Sequence, residues 1–272
     1  MSVRSIRRGF RSIALPVAGV LLLTGCDDNA TEPDPAATGT VVIQWDAVAG
    51  AEVLALGSGH AGYMNAAGNV YWTTNLEYIV SDFKLEVEAA ARAEGDFEAG
   101  ADAIHYRTHS DDATRTLTLT DVPAGDYSHL HFRFGINDAL NDAGMFPAMD
   151  TAGMAWPAMQ GGGYHYMRHE GNFVTTAVDT VGFTTHTGPT MSTDYSFEVE
   201  LELHAGAERH GFAVPAGGTV TITLAMDVNE WYTTPNSYDF NDYGLIMGNA
   251  AAQTTLQGNG PGVWSVQGVA TE

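Results

Sequence analysis

Residues 161–171 read GGGYHYMRHEG, which spaces His165, Met167 and His169 two apart. On a strand, that spacing puts all three side chains on one face. The donors would then be an imidazole, a thioether and an imidazole in a row. Such a set suits copper, above all Cu(I), better than a hard cation. A neighbouring strand would bring His186, in FTTHTGPT at 183–190, to the same face. The same residues equally fit a half-buried strand, with Met167 in the core and two hydrogen-bonded surface imidazoles. His129 with His131, and His105 with His109, repeat the spacing as weaker secondary sites, and each pair also fits solvated or core-edge histidine. Asp138, Asn141, Asp142 and Asp150 offer oxygen ligands for calcium, but their order does not match an EF-hand loop. An Asx-rich turn explains them more simply.

Other chemistry is excluded or unsupported. Cys26 is the only cysteine, so the chain forms no internal disulfide and no cysteine-based metal or redox site. It carries no G-x-S-x-G, no H-E-x-x-H and no phosphate loop. It also lacks C-x-x-C-H for covalent haem. A binding protein without turnover is therefore expected, not an enzyme. Eleven Lys and Arg stand against 33 Asp and Glu, a net charge of −22, and Lys84 is the only lysine. This balance excludes nucleic acid, whose binding needs clustered basic residues. It also excludes anionic lipid held by a polybasic patch. It favours solubility and attracts cations, and it would equally suit a salty habitat.

The elements that would carry these residues begin after a targeting segment. Arg4, Arg7, Arg8 and Arg11 precede an apolar run from Ile13 to Leu23. The run is too short to span a bilayer and reads as a secretory signal. It ends in Leu23-Thr24-Gly25-Cys26, which resembles a bacterial lipobox. That resemblance implies residues 1–25 as a signal peptide and Cys26 as the lipidated first mature residue. The protein would then be exported and held by a lipid anchor at a membrane, facing the periplasm or the cell surface. Residues 26–39, acidic with two prolines, read as a flexible tether. Residues 40–272 read as one domain.

Within that domain, short alternating runs are separated by turn residues. Examples are TVVIQWD (40–46), TRTLTLT (114–120), SHLHFRF (128–134), TDYSFEVELEL (193–203) and TVTITLAMDV (219–228). Residues 89–102 read as an exposed insertion, and 246–257 as a short helix. The expected fold is all-β, an antiparallel two-sheet sandwich of about ten strands with one or two short helices. Residues 135–163 break the rhythm as a long loop holding four methionines and Trp156. A loop of that length in a compact domain is usually functional or disordered, and its methionines and tryptophan argue against disorder.

Several segments together resemble the MbnP-like family of exported copper-binding proteins. They are NAAGNVYWTTNLEYIVSDFKLEV (65–87), DVPAGDYSHLHFRFGIND (121–138), GMAWPAMQGGGYHYMRHEG (153–171), FTTHTG (183–188), MDVNEWY (226–232) and IMGNAAAQ (246–253). Each alone is weak, whereas their order and spacing are specific. The resemblance implies an all-β copper protein outside the cytoplasm, paired with a di-haem partner of the cytochrome c peroxidase type. It further implies that Trp156 is the tryptophan oxidised to kynurenine, which helps ligate copper, and that His186 is the downstream histidine ligand. Residues 135–155 contain no upstream histidine, which leaves His165, His169 or Met167 to complete the set. Copper storage, delivery or sensing is the expected role. The rival is a metal-free β-sandwich used for binding or adhesion, with 135–163 as its recognition loop.

Overall fold

The computed structural model describes residues 37–60, 62–87, 95–101, 103–191, 193–204 and 211–272. The expected signal peptide (1–25), Cys26 and nearly all of the expected tether lie outside the described residues, as does much of the insertion expected over 89–102.

Fourteen strands are present among the described residues. In chain order they are β1 (Thr38–Ala49), β2 (Glu52–Val53), β3 (Tyr63–Met64), β4 (Val70–Val87), β5 (Phe97–Glu98), β6 (His105–Thr108) and β7 (Thr116–Pro123). The series continues with β8 (Gly125–Phe134), β9 (Met167–Val174), β10 (Thr180–Thr187), β11 (Phe197–Glu202), β12 (Phe212–Val214), β13 (Thr219–Asp227) and β14 (Trp264–Thr271). Three short helices accompany them: α1 (Pro147–Thr151), α2 (Phe240–Tyr243) and α3 (Ala250–Asn259). Ten of the strands have four or more residues, so the expected all-β sandwich is the fold.

One sheet has five strands, in the order β14-β13-β1-β2 with β7 also on β1. The other has nine, along β10-β9-β4-β8-β11, with the shorter strands attached to β4 and β8. The sandwich is not wholly antiparallel, because β1 and β13 pair in parallel over Thr40–Val48 and Thr219–Asp227. These two strands stand at opposite ends of the chain, and the larger sheet forms the crossover that a parallel pair requires.

Strict alternation on β1 sends Val41, Ile43, Trp45, Ala47 and Ala49 inward. Trp45 meets Phe132 of the facing sheet edge-on at 5.2 Å, and Trp264 beside it at 5.5 Å. This aromatic contact locks the two layers together. Strand β4 spans the larger sheet and changes neighbours at bulges between Thr73 and Asn75 and between Ser81 and Lys84. Gly171 explains the close approach of β9 to β4, since a Cβ there would stand 1.9 Å from the Trp72 carbonyl oxygen. The loop 135–163 carries a small core of its own. Ile136, Met149, Met154 and Tyr164 pack on Ile79, so this stretch is ordered against the outside of the larger sheet.

Candidate metal centre

Strands β9 and β10 pair antiparallel, with His186 opposite Arg168 and Thr187 opposite Met167. Cross-strand partners share a face, so His186 stands with Arg168 and with Glu170 two residues on. Met167 and His169 face the other way. Met167 lies in the main core. His169 is buried against Tyr71, Phe183 and Tyr232.

The two-residue alternation fails just before β9. Tyr166 and Met167 both enter the main core. The Tyr166 hydroxyl donates to Asp194 Oδ1 at 2.7 Å and accepts from Asn141 Nδ2 at 3.1 Å. Its backbone N–H donates to Thr187 O at 2.8 Å, and its carbonyl accepts from Ile79 N at 3.0 Å. His165 is therefore turned to the outer side, where its ring meets that of His186 at a centroid distance of 5.0 Å and an interplanar angle of 85°. The row of His165, Met167 and His169 expected from spacing is not formed. His165 joins His186, while Met167 and His169 belong to the core side. His169 has no free ring nitrogen, because Nε2 lies 2.8 Å from Thr73 Oγ1 and Nδ1 lies 2.6 Å from the Tyr232 hydroxyl.

Trp156 reaches the same place from the long loop. Its backbone N–H donates to Gly163 O at 2.8 Å, and Ala155 bridges Tyr164. This closure sets the indole 4.7 Å from the His165 ring, at 75°. The indole also lies on Gly188, where a Cβ would stand 2.6 Å from its Cε3 atom. Only glycine leaves that room, which accounts for the His-Thr-Gly ending of the 183–188 motif. Gln253 of α3 secures the segment, donating to His186 O at 2.8 Å and accepting from Gly188 N at 3.3 Å.

Hydrogen bonding assigns the protons. His165 Nδ1 lies 3.1 Å from the Met154 carbonyl oxygen. A carbonyl only accepts, so Nδ1 carries the hydrogen and Nε2 is a bare lone pair. His186 Nε2 lies 2.8 Å from Glu170 Oε1, which also accepts from Arg168 Nη2 at 2.9 Å. The hydrogen bond from His186, with Arg168 beside it, holds the Glu170 carboxyl down to about 2. Glu170 is therefore ionised and accepts from His186 Nε2, which leaves His186 Nδ1 as the ring nitrogen without a partner. Desolvation pushes His165 down to about 4, so its ring is neutral at neutral pH.

His165 Nε2, His186 Nδ1 and Trp156 Nε1 are all buried without a partner. Two buried imidazoles, each with one ring nitrogen hydrogen-bonded and the other without a partner, fit a soft or borderline metal ion. The carboxylate behind His186 matches the arrangement that orients histidine ligands. Among the described residues, no group of three or more His, Cys, Asp or Glu is arranged to hold a metal. A complete coordination sphere thus needs another residue type, and Trp156 is the neighbour in contact. Indole itself is a poor ligand for such an ion.

The secondary candidates separate from this centre. His105 stacks on Trp45 at 5.9 Å, and desolvation lowers it to about 4. His109 is lowered to about 3 by desolvation and by Arg107, whose Nη2 lies 3.4 Å from its Nδ1. The guanidinium between these two histidines opposes a cation. His131 bonds Glu86 at 3.0 Å, and His129 bonds Ser128 at 2.9 Å. Asn141 holds Tyr164 N at 2.8 Å as well as Tyr166, which makes it a loop anchor. Spacing alone missed Glu170, Gly188 and Gln253. The Arg-x-Glu-Gly and His-Thr-Gly endings already contained the first two.

No curated protein matches the sequence. Among solved structures, the chain is similar to MbnP from Methylosinus trichosporium, with a TM-score of 0.48 and 14% identity over 86% of this chain and 99% of that one. The MbnP family model matches residues 38–250, and the chain belongs to that family.

Proposed function

We propose that this protein binds copper between His165 and His186 and serves to store, deliver or sense it outside the cytoplasm, without turnover of its own. The observation that carries this reading is the pair of buried, partnerless imidazole nitrogens. Met154 O and Glu170 fix the tautomers that leave those nitrogens bare. Trp156, in contact with His165, supplies the third position, either by closing the pocket or as kynurenine made by a di-haem partner of the cytochrome c peroxidase type. Lipidation of Cys26 would hold the domain at a membrane.

Metal analysis and intact mass of the mature protein, purified from its native membrane fraction, test this. One copper per chain, lost in a His165→Ala/His186→Ala variant that still folds, is the expected result. A mass change of one carbon lost and one oxygen gained at Trp156 would identify kynurenine. A lipid adduct on Cys26 would identify the anchor. Absence of copper after reconstitution with Cu(I) and with Cu(II) overturns the metal reading in favour of a metal-free binding domain.

A further inference from the structure

The pocket is closed. Trp156 is 2% exposed, His165 5% and His186 9%. An ion that reaches them must first meet the outer rim of the pocket. Among the described residues five methionines are exposed: Met64, Met145, Met159, Met191 and Met247. Three of them, at 83% for Met159, 70% for Met191 and 39% for Met247, come from separate stretches that meet at Gln160.

Met159 precedes Gln160 on the short turn Ala158–Gln160. Met191 lies at the tip of a turn closed between Thr190 and Thr193, and its backbone N–H donates to Gln160 O at 2.8 Å. Met247 precedes Gly248, on which the Gln160 amide packs so closely that a Cβ would stand 2.8 Å from its Nε2. Each stretch also leads directly to the pocket. Met159 is three residues from Trp156. Met191 is on the segment that carries His186 and Gly188. Met247 leads into α3, whose Gln253 holds the His186 carbonyl.

An exposed methionine adds nothing to the core, and its long, flexible side chain leaves the sulfur free to move. Met191 further sits at φ +52°, a conformation that favours Gly or Asn over a large side chain. The turn thus presents a thioether where packing and backbone preference both argue against one. Thioether sulfur is neutral and soft. It ligates Cu(I) and Ag(I) and discriminates against Cu(II), zinc and calcium.

We infer that Met159, Met191 and Met247 form an outer Cu(I) site that captures the ion and hands it to His165 and His186. The destination rests on the function proposed above, whereas the capture site does not. The hand-off is ligand exchange at constant oxidation state. Sulfur–copper bonds break as nitrogen–copper bonds form at the two bare lone pairs, and no proton or electron is transferred.

The test uses the full mature protein under anaerobic conditions, with silver nitrate as a redox-inert probe and Cu(I) supplied from a weak chelator. Isotope-labelled methionine methyl NMR should show the signals of Met159, Met191 and Met247 moving together with Ag(I), in wild type and in His165→Ala/His186→Ala alike. The triple variant Met159→Ile/Met191→Ile/Met247→Ile keeps the apolar surface and removes the sulfurs. It should load Cu(I) about tenfold more slowly, to the same final copper content, with Cu(II) loading unchanged. Unmoved methyl signals, or wild-type Cu(I) loading in the triple variant, overturn the inference. In particular, a variant that keeps both its loading rate and an affinity for a protein partner would make the patch a docking surface. Moving methyl signals in a protein whose buried pocket retains no copper would sink the proposed function and leave the outer site standing.

Discussion

His186 Nε2 lies 2.8 Å from Glu170 Oε1, so one strand of the larger sheet sets the tautomer of a histidine on the next. Arg168 fixes the same carboxylate from its own strand at 2.9 Å and also bonds Glu77 at 3.1 Å. The lone pair on His186 Nδ1 therefore depends on a chain of charge that begins on β4. Glu170→Gln keeps an oxygen acceptor and removes the charge. Copper affinity, measured by competition with a chelator, should fall about 10- to 100-fold, as it does when an outer-shell carboxylate is lost. Unchanged affinity would make Glu170 merely the partner of Arg168.

The contact between Gly188 and Trp156 predicts a packing defect. In Gly188→Ala the new methyl would stand 2.6 Å from the indole, and the loop at 155–164 has to move. Overpacking of this kind costs about 1–3 kcal/mol. Thermal denaturation should show the lower Tm, and tryptophan fluorescence should show the displaced ring. A wild-type Tm with unchanged fluorescence would mean that the ring does not rest on Gly188.

His169 distinguishes core from ligand. Its removal in His169→Ala strips hydrogen-bond partners from the Thr73 and Tyr232 hydroxyls and opens a cavity among Tyr71, Phe183 and Tyr232. The expected loss is about 2–5 kcal/mol of stability, read as a lower Tm or urea midpoint. Copper per folded chain should stay the same. A variant that keeps its stability but loses copper would return His169 to the ligand set.

Three histidines outside the pocket, His105 and His169 buried and His109 half-buried, give the domain an acid limit. Desolvation lowers His105 to about 4, and His109 and His169 to about 3, from an ordinary value of 6.5. The unfolded chain binds protons at these positions as pH drops through 6.5, and the folded chain does not. Stability from this source is complete above pH 6.5 and declines as pH falls towards 4 and then 3, by on the order of 1 kcal/mol per pH unit for each histidine. Tm measured from pH 7 to pH 4 should decrease steadily, with net proton uptake on unfolding. A flat profile over that range would contradict the neutral state of these rings in the fold.

Much of this molecule was legible in its sequence because the relevant physics is local. Alternation of apolar side chains follows directly from the two-residue period of a strand. It marks Val41, Ile43 and Trp45 on β1 and Val220, Ile222 and Leu224 on β13 as inward-facing. The long loop with Trp156 announced itself by length and composition, and His165 and His186 by type and motif. What the sequence left undecided depended on contacts between distant residues. The parallel pairing of β1 with β13 needs the whole larger sheet between them. The loop's order comes from Ile136, Met149, Met154 and Tyr164 packing on Ile79, far away in the chain. The break in alternation at Tyr166 decides the pocket itself, by turning His165 from the Met167 side to the His186 side. That break is held by Asp194, Asn141, Thr187 and Ile79, four residues with no local periodicity in common. A repeat of two says which side chains share a face only while the strand is regular, and only the tertiary structure showed where regularity ends.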